Sequence, residues 1–107
     1  MPKVLLTLSC LFHCNPCSLV SALKEGLLSL PKNLDGFVGF ELGEDLKLAG
    51  GQNHPAGKNR SIVWTACFAN VADYEKYNDS KEHVDVVNNL IKPITVPGSR
   101  AAIQYEC

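Results

Sequence analysis

Apolar and polar positions along the chain predict four strands and two helical regions. The expected strands are residues 3–11, 36–42, 61–68 and 101–105. The third run is rich in β-branched and aromatic residues, which favour strands over helices. The first run is apolar on both of its alternating sides, which is typical of a strand that is covered on both faces.

The first helix is expected to begin at Asn15 and Pro16, because asparagine is a good N-cap and proline fits the first helical position. Its apolar stripe consists of Leu19, Leu23, Leu27 and Leu30. These leucines recur at helical spacing and predict a helix with one buried face. Pro31 is expected to end the helix, because a proline interrupts helical hydrogen bonding.

The second helical region is expected in two pieces. Asn70 would cap a short helix over residues 71–77, and Ser80 would cap a longer helix that begins at Lys81. The apolar stripe of the longer piece consists of Val84, Val87, Leu90 and Ile91. Pro93 ends this piece.

The order β-α-β-β-α-β predicts an α+β, ferredoxin-like domain, an antiparallel sheet with both helices on one face. The whole chain, 1–107, is expected to be a single domain. Residues 43–60 are polar and rich in glycine, which is typical of a surface loop. Because the strands carry apolar residues on both sides, the uncovered face should pack on a second copy and give a homodimer.

Charge and composition exclude several function classes. Ten basic and eleven acidic residues give a net charge of −1, which argues against nucleic acid or an anionic membrane as a partner. No apolar run approaches the roughly 20 residues of a membrane span. No signal peptide is indicated, because the apolar run of residues 4–8 is interrupted by Thr7 and leaves no room for a charged n-region before it. A disulfide framework is not indicated either, since five cysteines is an odd count and three of them are crowded into one short stretch. A cytoplasmic location is therefore expected.

A redox motif is suggested by Cys14-Asn15-Pro16-Cys17, which has the spacing of thiol oxidoreductases and would open a helix. The segment Thr95-Val96-Pro97 also resembles one that faces the active site in thioredoxin-like folds. Only ten residues follow Pro97, however, too few for the hairpin and helix which that fold requires. A redox role is therefore disfavoured, although both thiols should keep mild reactivity near a helix N-terminus.

A metal site is suggested by the four soft ligands Cys10, His13, Cys14 and Cys17. One helical turn cannot easily place all four around one ion, and strong zinc patterns pair two separate knuckles. The alternation of the first strand instead places Cys10 in the core. Neither a metal nor a cofactor is expected.

Two segments carry a family resemblance. The first is LPKNLDGFVGFELGEDL, residues 30–46, and the second is FANVADYEKYNDSKEH, residues 68–83. The second contains Phe68, Tyr77 and His83 at characteristic spacing, and Ile91-Lys92-Pro93 follows. Together they resemble the stress-responsive A/B barrel (Dabb) family. The resemblance implies that two ferredoxin-like protomers pair into a dimeric α+β barrel.

The resemblance also implies a function. In a plant polyketide cyclase of this family, the residues that match Tyr77 and His83 carry an aldol cyclisation without a cofactor. His83 would be the general base that removes a proton α to a carbonyl, and Tyr77 would assist. The expected substrate-binding residues, between the helices and the sheet, are Trp64, Ile62, Leu23, Leu27 and Val87.

Three departures from the family pattern affect this assignment. The usual His-Pro-x-His is here Ser80-Lys81-Glu82-His83. The positions that resemble those of further pocket histidines in the plant cyclase are here Lys3 and Ile62. Trp64 is larger than expected and would either line or fill the pocket. His54, next to Pro55, is expected to be a solvated loop residue.

A physical argument supports His83 separately. With Ser80 as N-cap, His83 is the third helical residue, where the helix dipole disfavours the imidazolium and keeps a neutral base near pH 7. The alternative is that His83 and Tyr77 are purely structural. The function hypotheses are thus a lyase-like polyketide cyclase of a biosynthetic route, a stress-responsive dimer that binds a hydrophobic small molecule, and an accessory protein of a polyketide synthase.

Overall fold

A computed structural model describes residues 2–12, 18–52 and 54–107. The strands are β1 (Val4–Cys10), β2 (Phe37–Glu44), β3 (Ile62–Phe68) and β4 (Ala101–Glu106). They form one antiparallel sheet in the order β2-β3-β1-β4. The predicted ferredoxin-like fold class is confirmed.

Among the described residues, four α-helices lie between these strands. They are α1 (Ser18–Asn33), α2 (Ala49–Gln52), α3 (Val71–Asp79) and α4 (Lys81–Val86). A π-helical segment, Val87–Ile91, continues α4. The predicted helix start at Asn15 and Pro16 lies outside the described residues.

One face of the sheet carries the core. Along β3, Ile62, Trp64, Ala66 and Phe68 are buried, and the residues between them are only partly covered. The buried side of α1 consists of Leu23, Leu27 and Leu30. These two apolar surfaces pack together, so the core lies between the helices and one side of the sheet.

The prediction that Pro31 ends the first helix is wrong. The helix runs to Asn33, and the Leu34 N–H still bonds the Leu30 carbonyl oxygen at 2.9 Å. Proline removes its own N–H, so in the last turn it costs one helical hydrogen bond while its neighbours keep theirs. Leu19, expected in the apolar stripe, is half exposed in the first turn.

The predicted stripe of the last helix is also shifted. Val84 is 42% exposed, whereas Val86 is buried at 7% and Leu90 packs against the core. Val84 and Val86 lie in α4, before the π-helical segment, in which the Lys92 N–H bonds the Val87 carbonyl oxygen five residues back. Val86 and Leu90 are four residues apart and therefore lie on the same side of the helix. Gly26 of α1 has no room for a Cβ beside Leu90, so the two elements approach closely there.

Both predicted helix caps at the α3–α4 region are confirmed. Asn70 Oδ1 accepts a hydrogen bond from the Asp73 N–H at 2.8 Å, and Ser80 Oγ accepts one from the His83 N–H at 3.1 Å. Each oxygen pairs a backbone donor that the helix itself leaves unsatisfied. Local chemistry therefore determines where both helices begin.

The uncovered face of the sheet carries both polar and apolar residues. Thr7, Thr65 and Glu41 lie on it, because they alternate with the buried positions of their strands. Ile103 and Tyr105 of β4 share this face, and they are 59% and 45% exposed. Leu5 of β1 and Val63 of β3 also lie on this face, so its apolar residues extend from β4 across β1 to β3. In the described part of the chain, no helix is long and apolar enough to cross a membrane.

Candidate active site

The junction of α3 and α4 brings Tyr77 and His83 together. Their ring centroids are 4.4 Å apart, with the planes tilted by 44°. Ser80 fixes the junction: its hydroxyl donates to the Tyr77 carbonyl oxygen at 2.8 Å and accepts from the His83 N–H at 3.1 Å. One side chain therefore links the end of the tyrosine's helix to the start of the histidine's.

Replacing Ser80 with alanine should lower the free energy of unfolding by about 1 kcal/mol, the usual effect of losing an N-cap. The reason is that the His83 N–H loses its acceptor while the Tyr77 carbonyl loses a donor. Urea unfolding measures the change. Ser29→Ala is the control, because the Ser29 hydroxyl donates to Gly26 within one helix and caps nothing. Equal stability of the two variants would contradict the capping role.

The hydrogen bond of His83 defines its tautomer. His83 Nδ1 lies 2.9 Å from the backbone carbonyl oxygen of Asn78. A carbonyl oxygen can only accept, so Nδ1 carries the proton in the neutral ring. The lone pair is then on Nε2, which leaves that nitrogen free to act as a base.

Burial keeps His83 neutral. Loss of solvent around the half-buried ring lowers its pKa below the usual 6.5 and is the largest cause. The Asn78 carbonyl opposes this effect by favouring the protonated ring, whereas the positive charge of Arg100 supports it. Desolvation acts in the same direction as the helix dipole that the sequence argument invoked.

This lowered pKa makes stability depend on pH. Above about pH 6.5 the histidine is neutral in both the folded and the unfolded chain, so its ionisation does not change the free energy of unfolding. As the pH falls below that value, the unfolded chain takes up the proton first and the free energy of unfolding decreases. Denaturant midpoints between about pH 7.5 and 5.5 should fall less steeply for His83→Gln than for the natural chain. A slope for His83→Gln as steep as that of the natural chain would contradict this cause.

The Tyr77 hydroxyl lies in the protein interior and keeps its proton. It is only 3% exposed, and Trp64 Nε1–H donates a hydrogen bond to its hydroxyl oxygen at 3.2 Å. Burial, the largest cause, raises the pKa of Tyr77 to about 12. Because the oxygen accepts from Trp64, its own proton remains available for another acceptor.

Trp64 fills the space behind Tyr77. It is 1% exposed, and its ring centroid lies 5.9 Å from that of Phe40 and 6.5 Å from that of Phe37. The sequence left open whether Trp64 lines or fills the pocket. In this conformation it is packed on all sides and occupies the interior.

The structure places most of the predicted substrate-binding residues in one cluster. Leu23, Leu27 and Ile62 are buried in the same core as Trp64 and Tyr77. Val87 is half-buried and lies in the π-helical segment, outside that cluster. Two open depressions of about 350 and 310 Å³ lie elsewhere on the surface, and neither is lined by Tyr77 or His83.

Two neighbours of His83 were missed by sequence reasoning. Asn78 contributes a backbone carbonyl, which every residue has, so its identity carries no signal. Arg100 acts on His83 through space from the segment before β4. Only the folded chain reveals either contact.

A family model, the stress responsive A/B barrel domain, matches residues 16–107. The chain belongs to this family. No curated protein sequence matches the A/B barrel chain. The fold class inferred from the order of its strands agrees with this membership.

Solved structures share the fold of this A/B barrel chain at low sequence identity. A dimeric ferredoxin-like protein of unknown function from Thermobifida fusca has a TM-score of 0.79 and 19% identity, covering 99% of this chain and 92% of that one. Hydroxynitrile lyase from Passiflora edulis has a TM-score of 0.80 and 12% identity, covering 99% and 94%. SnoaB, a cofactor-independent oxygenase from Streptomyces nogalater, has a TM-score of 0.74 and 10% identity, covering 100% and 94%.

Only some residues of the redox and metal sites that the sequence suggested lie within the described part of the chain. Cys14, Cys17 and His13 lie outside the described residues. That the spacing of the two cysteines carries no redox role therefore stays a prediction. Cys10 is a buried core residue, as predicted, and burial raises the pKa of its thiol. Among residues 2–12, 18–52 and 54–107, no three His, Cys, Asp or Glu side chains are grouped to hold a metal ion. His54 is exposed in its loop, as predicted.

Proposed function

We propose that this A/B barrel protein is a cofactor-independent enzyme that cyclises a small polyketide-like substrate by an aldol or Claisen-type reaction. The observation that carries the proposal is the bond from His83 Nδ1 to the Asn78 carbonyl, which leaves Nε2 unprotonated. A half-buried neutral imidazole of this tautomer is a suitable general base near pH 7.

The proposed reaction needs only proton transfers and one new bond. His83 Nε2 takes a proton from a carbon between two carbonyl groups, and the electron pair moves onto the adjacent oxygen as an enolate. The enolate carbon attacks a second carbonyl of the same molecule and forms a carbon–carbon bond. In the aldol form, the imidazolium then returns its proton to the resulting alkoxide. In the Claisen form, the attacked carbonyl is the thioester, so the alkoxide collapses, the carbon–sulfur bond breaks, and the imidazolium protonates the departing thiolate. No oxidant, metal or cofactor enters this balance.

Tyr77 is proposed to stabilise the enolate. Its high pKa keeps the phenol protonated, and the hydroxyl proton is not used by Trp64. A neutral hydrogen-bond donor aimed at a developing oxyanion is the usual stabilising device for this chemistry. Because the Tyr77 hydroxyl is buried, contact with substrate requires Trp64 to move aside.

The apolar part of the substrate is proposed to contact the core cluster once Trp64 has moved. Leu23, Leu27 and Ile62 would form its walls, and Val87 would border it from the π-helical segment. Hydroxynitrile lyase and the cofactor-independent oxygenase show that this fold can support small-molecule chemistry, which supports an enzymatic role here. A cytoplasmic location is part of the same proposal.

A second function is favoured by one specific observation. The indole of Trp64 fills the interior and bonds the Tyr77 hydroxyl, which would suit a non-catalytic dimer that binds hydrophobic small molecules or assists a polyketide synthase. In this alternative, Tyr77 and His83 stabilise the helix junction only.

The two functions differ in turnover. Linear β-polyketone thioesters with alkyl tails of graded length are incubated with the purified protein, and cyclised products are measured by mass spectrometry. The enzymatic proposal expects product to form faster than in buffer, without added metal or partner. Turnover only after addition of a polyketide synthase would favour the accessory role, and no acceleration in either case would reject the enzyme.

A homodimer through the uncovered sheet face is proposed with either function. Ile103 and Tyr105 are exposed there, and the dimeric relative from Thermobifida fusca supports the pairing. Light scattering at micromolar concentration should give twice the chain mass. Ile103→Lys should shift the protein toward monomer, because a charge would be buried in the interface. Leu19→Lys, at a similarly exposed site on α1 in the helix layer, is the control, and a monomeric natural chain would contradict the pairing.

A further inference from the structure

Cys67 and Cys107 lie on the uncovered face of the sheet. Cys67 follows the buried Ala66 along β3, so its side chain points away from the helices. Cys107 comes directly after β4, and its N–H bonds the Lys3 carbonyl oxygen at 2.9 Å. Because Cys107 is two residues beyond Tyr105, the side chains of both project from the same face. Two thiols that are far apart in the sequence therefore share one end of this face.

The two thiols are side-chain neighbours. Loss of solvent is the largest cause that raises the pKa of Cys67, and the Cys107 side chain adds to it through its charge and a hydrogen bond. The positive charge of Lys3 acts in the opposite direction and favours the Cys67 thiolate. Both cysteines are free, with Cys67 half-buried and Cys107 exposed. Two reduced thiols thus meet beside a cation, and one of them is open to solvent.

The position of Cys107 leaves room for the thiols to join. A disulfide needs its two Cα atoms within about 7 Å of each other. The pairing of β4 with β1 ends at Glu106, so Cys107 can move toward Cys67 while the strand ladder stays intact. Cys67 is the next-to-last residue of β3, so the pair lies at the border of the uncovered face.

We propose that Cys67 and Cys107 are a redox-active thiol pair, which low-molecular-weight disulfides of the glutathione type convert reversibly into an intramolecular disulfide. The exposed Cys107 thiolate attacks one sulfur of the oxidant, whose sulfur–sulfur bond breaks as one glutathione thiolate leaves. The Cys67 thiol loses its proton to solvent, and its thiolate attacks the Cys107 sulfur and displaces the second glutathione. The protein gives up two protons and two electrons, and the oxidant becomes two molecules of reduced glutathione.

The disulfide joins β3 to the residue after β4 across the intervening strand β1. In surroundings rich in reduced glutathione such a pair stays open, and it closes when the fraction of glutathione disulfide rises. The pair therefore responds to the thiol balance around the protein. Neither cysteine belongs to the α3–α4 junction, so the inference holds or fails independently of the proton transfer proposed for His83.

The test equilibrates the intact protein with increasing ratios of glutathione disulfide to glutathione, blocks the remaining thiols with iodoacetamide and locates the links by mass spectrometry. Lys76 and Arg100 lie between the two cysteines, so trypsin separates Cys67 from Cys107 unless a disulfide joins them. The natural chain should yield the linked peptides, and reduced glutathione should release them. Two free thiols, or two separate glutathione adducts, at an excess of glutathione disulfide would overturn the proposal.

Three variants and the unfolded chain assign the steps. Cys107→Ser should abolish the linked peptides, and Cys67→Ser should stop at a mixed disulfide between Cys107 and glutathione. The double variant Cys14→Ser/Cys17→Ser is the control and should link as the natural chain does. Because the two single variants change different parts of the sheet, a folding defect in one still leaves the other informative.

Unfolding in urea shows whether the fold brings the two cysteines together. The link should form at least about tenfold more slowly in the unfolded chain, because the effective concentration of one thiol at the other falls. Equal rates in the folded and the unfolded protein would reject the pair as a feature of the structure.

Discussion

Replacing His83 with asparagine should lower the cyclisation rate by about 10²–10⁴-fold, the range expected for the loss of a general base. Asparagine can still donate a hydrogen bond toward the Asn78 carbonyl, so the helix start should be preserved while the basic nitrogen is removed. The measurement is the rate of product formation from the most reactive β-polyketone thioester. In the natural chain the rate should rise with pH until the imidazole is neutral and be constant near pH 7.

The matched control is His54→Asn, which changes the same residue type in an exposed loop remote from the α3–α4 junction. This variant should retain the full rate. Denaturant unfolding of both variants separates loss of the base from loss of fold. A His83→Asn protein that is folded and as active as the natural chain would reject the assigned base and leave the structural role of His83 as the better explanation.

Replacing Trp64 with alanine should lower the free energy of unfolding by about 3–5 kcal/mol, the usual effect of truncating a buried aromatic residue. The indole is 1% exposed and is surrounded by the rings of Phe37, Phe40 and Tyr77, so its removal leaves a cavity and lost contacts. Chemical unfolding measures the change. Leu46→Ala, at a side chain that is 79% exposed, should have little effect.

A double-mutant cycle isolates the hydrogen bond within this effect. Tyr77→Phe alone leaves the buried Trp64 N–H without an acceptor, which costs about 1–3 kcal/mol. In the Trp64→Ala background that donor is gone, so the same Tyr77 change should cost less. Equal costs in both backgrounds would show that the bond does not stabilise the interior.

The pairing of Tyr77 with His83 could be predicted because it is local. Asn70 and Ser80 are helix-capping residues, so they place one short helix and then a second within a few residues of each other. The two rings meet at the break between these helices. Capping chemistry depends on neighbouring residues only, and a sequence displays it directly.

The contact between Trp64 and Tyr77 could not be predicted in the same way. It joins β3 to α3, and its existence depends on how closely the whole helix layer approaches the sheet. The sequence showed only that Trp64 is large. Whether a large residue lines a cavity or fills it depends on the distance between two layers, which no local pattern encodes.

The position of the exposed Phe40 illustrates the same limit. Its aromatic character predicted a strand, and the strand exists, but the sequence did not show that this strand would lie at an edge of the sheet. Strand order follows from long-range pairing. The half-exposed position of Phe40 was therefore visible only in the folded chain.

The π-helical segment also affects how this chain is compared with its relatives. A π turn holds one more residue than an α turn, and each residue of an α-helix advances by about 100° around the axis. An ungapped alignment with a relative whose helix is regular would therefore shift every position after Ile91, including the buried Ile94, by one residue. Alignments of the family should allow a single-residue gap between Val87 and Ile91 before equivalent positions are assigned in the last strand.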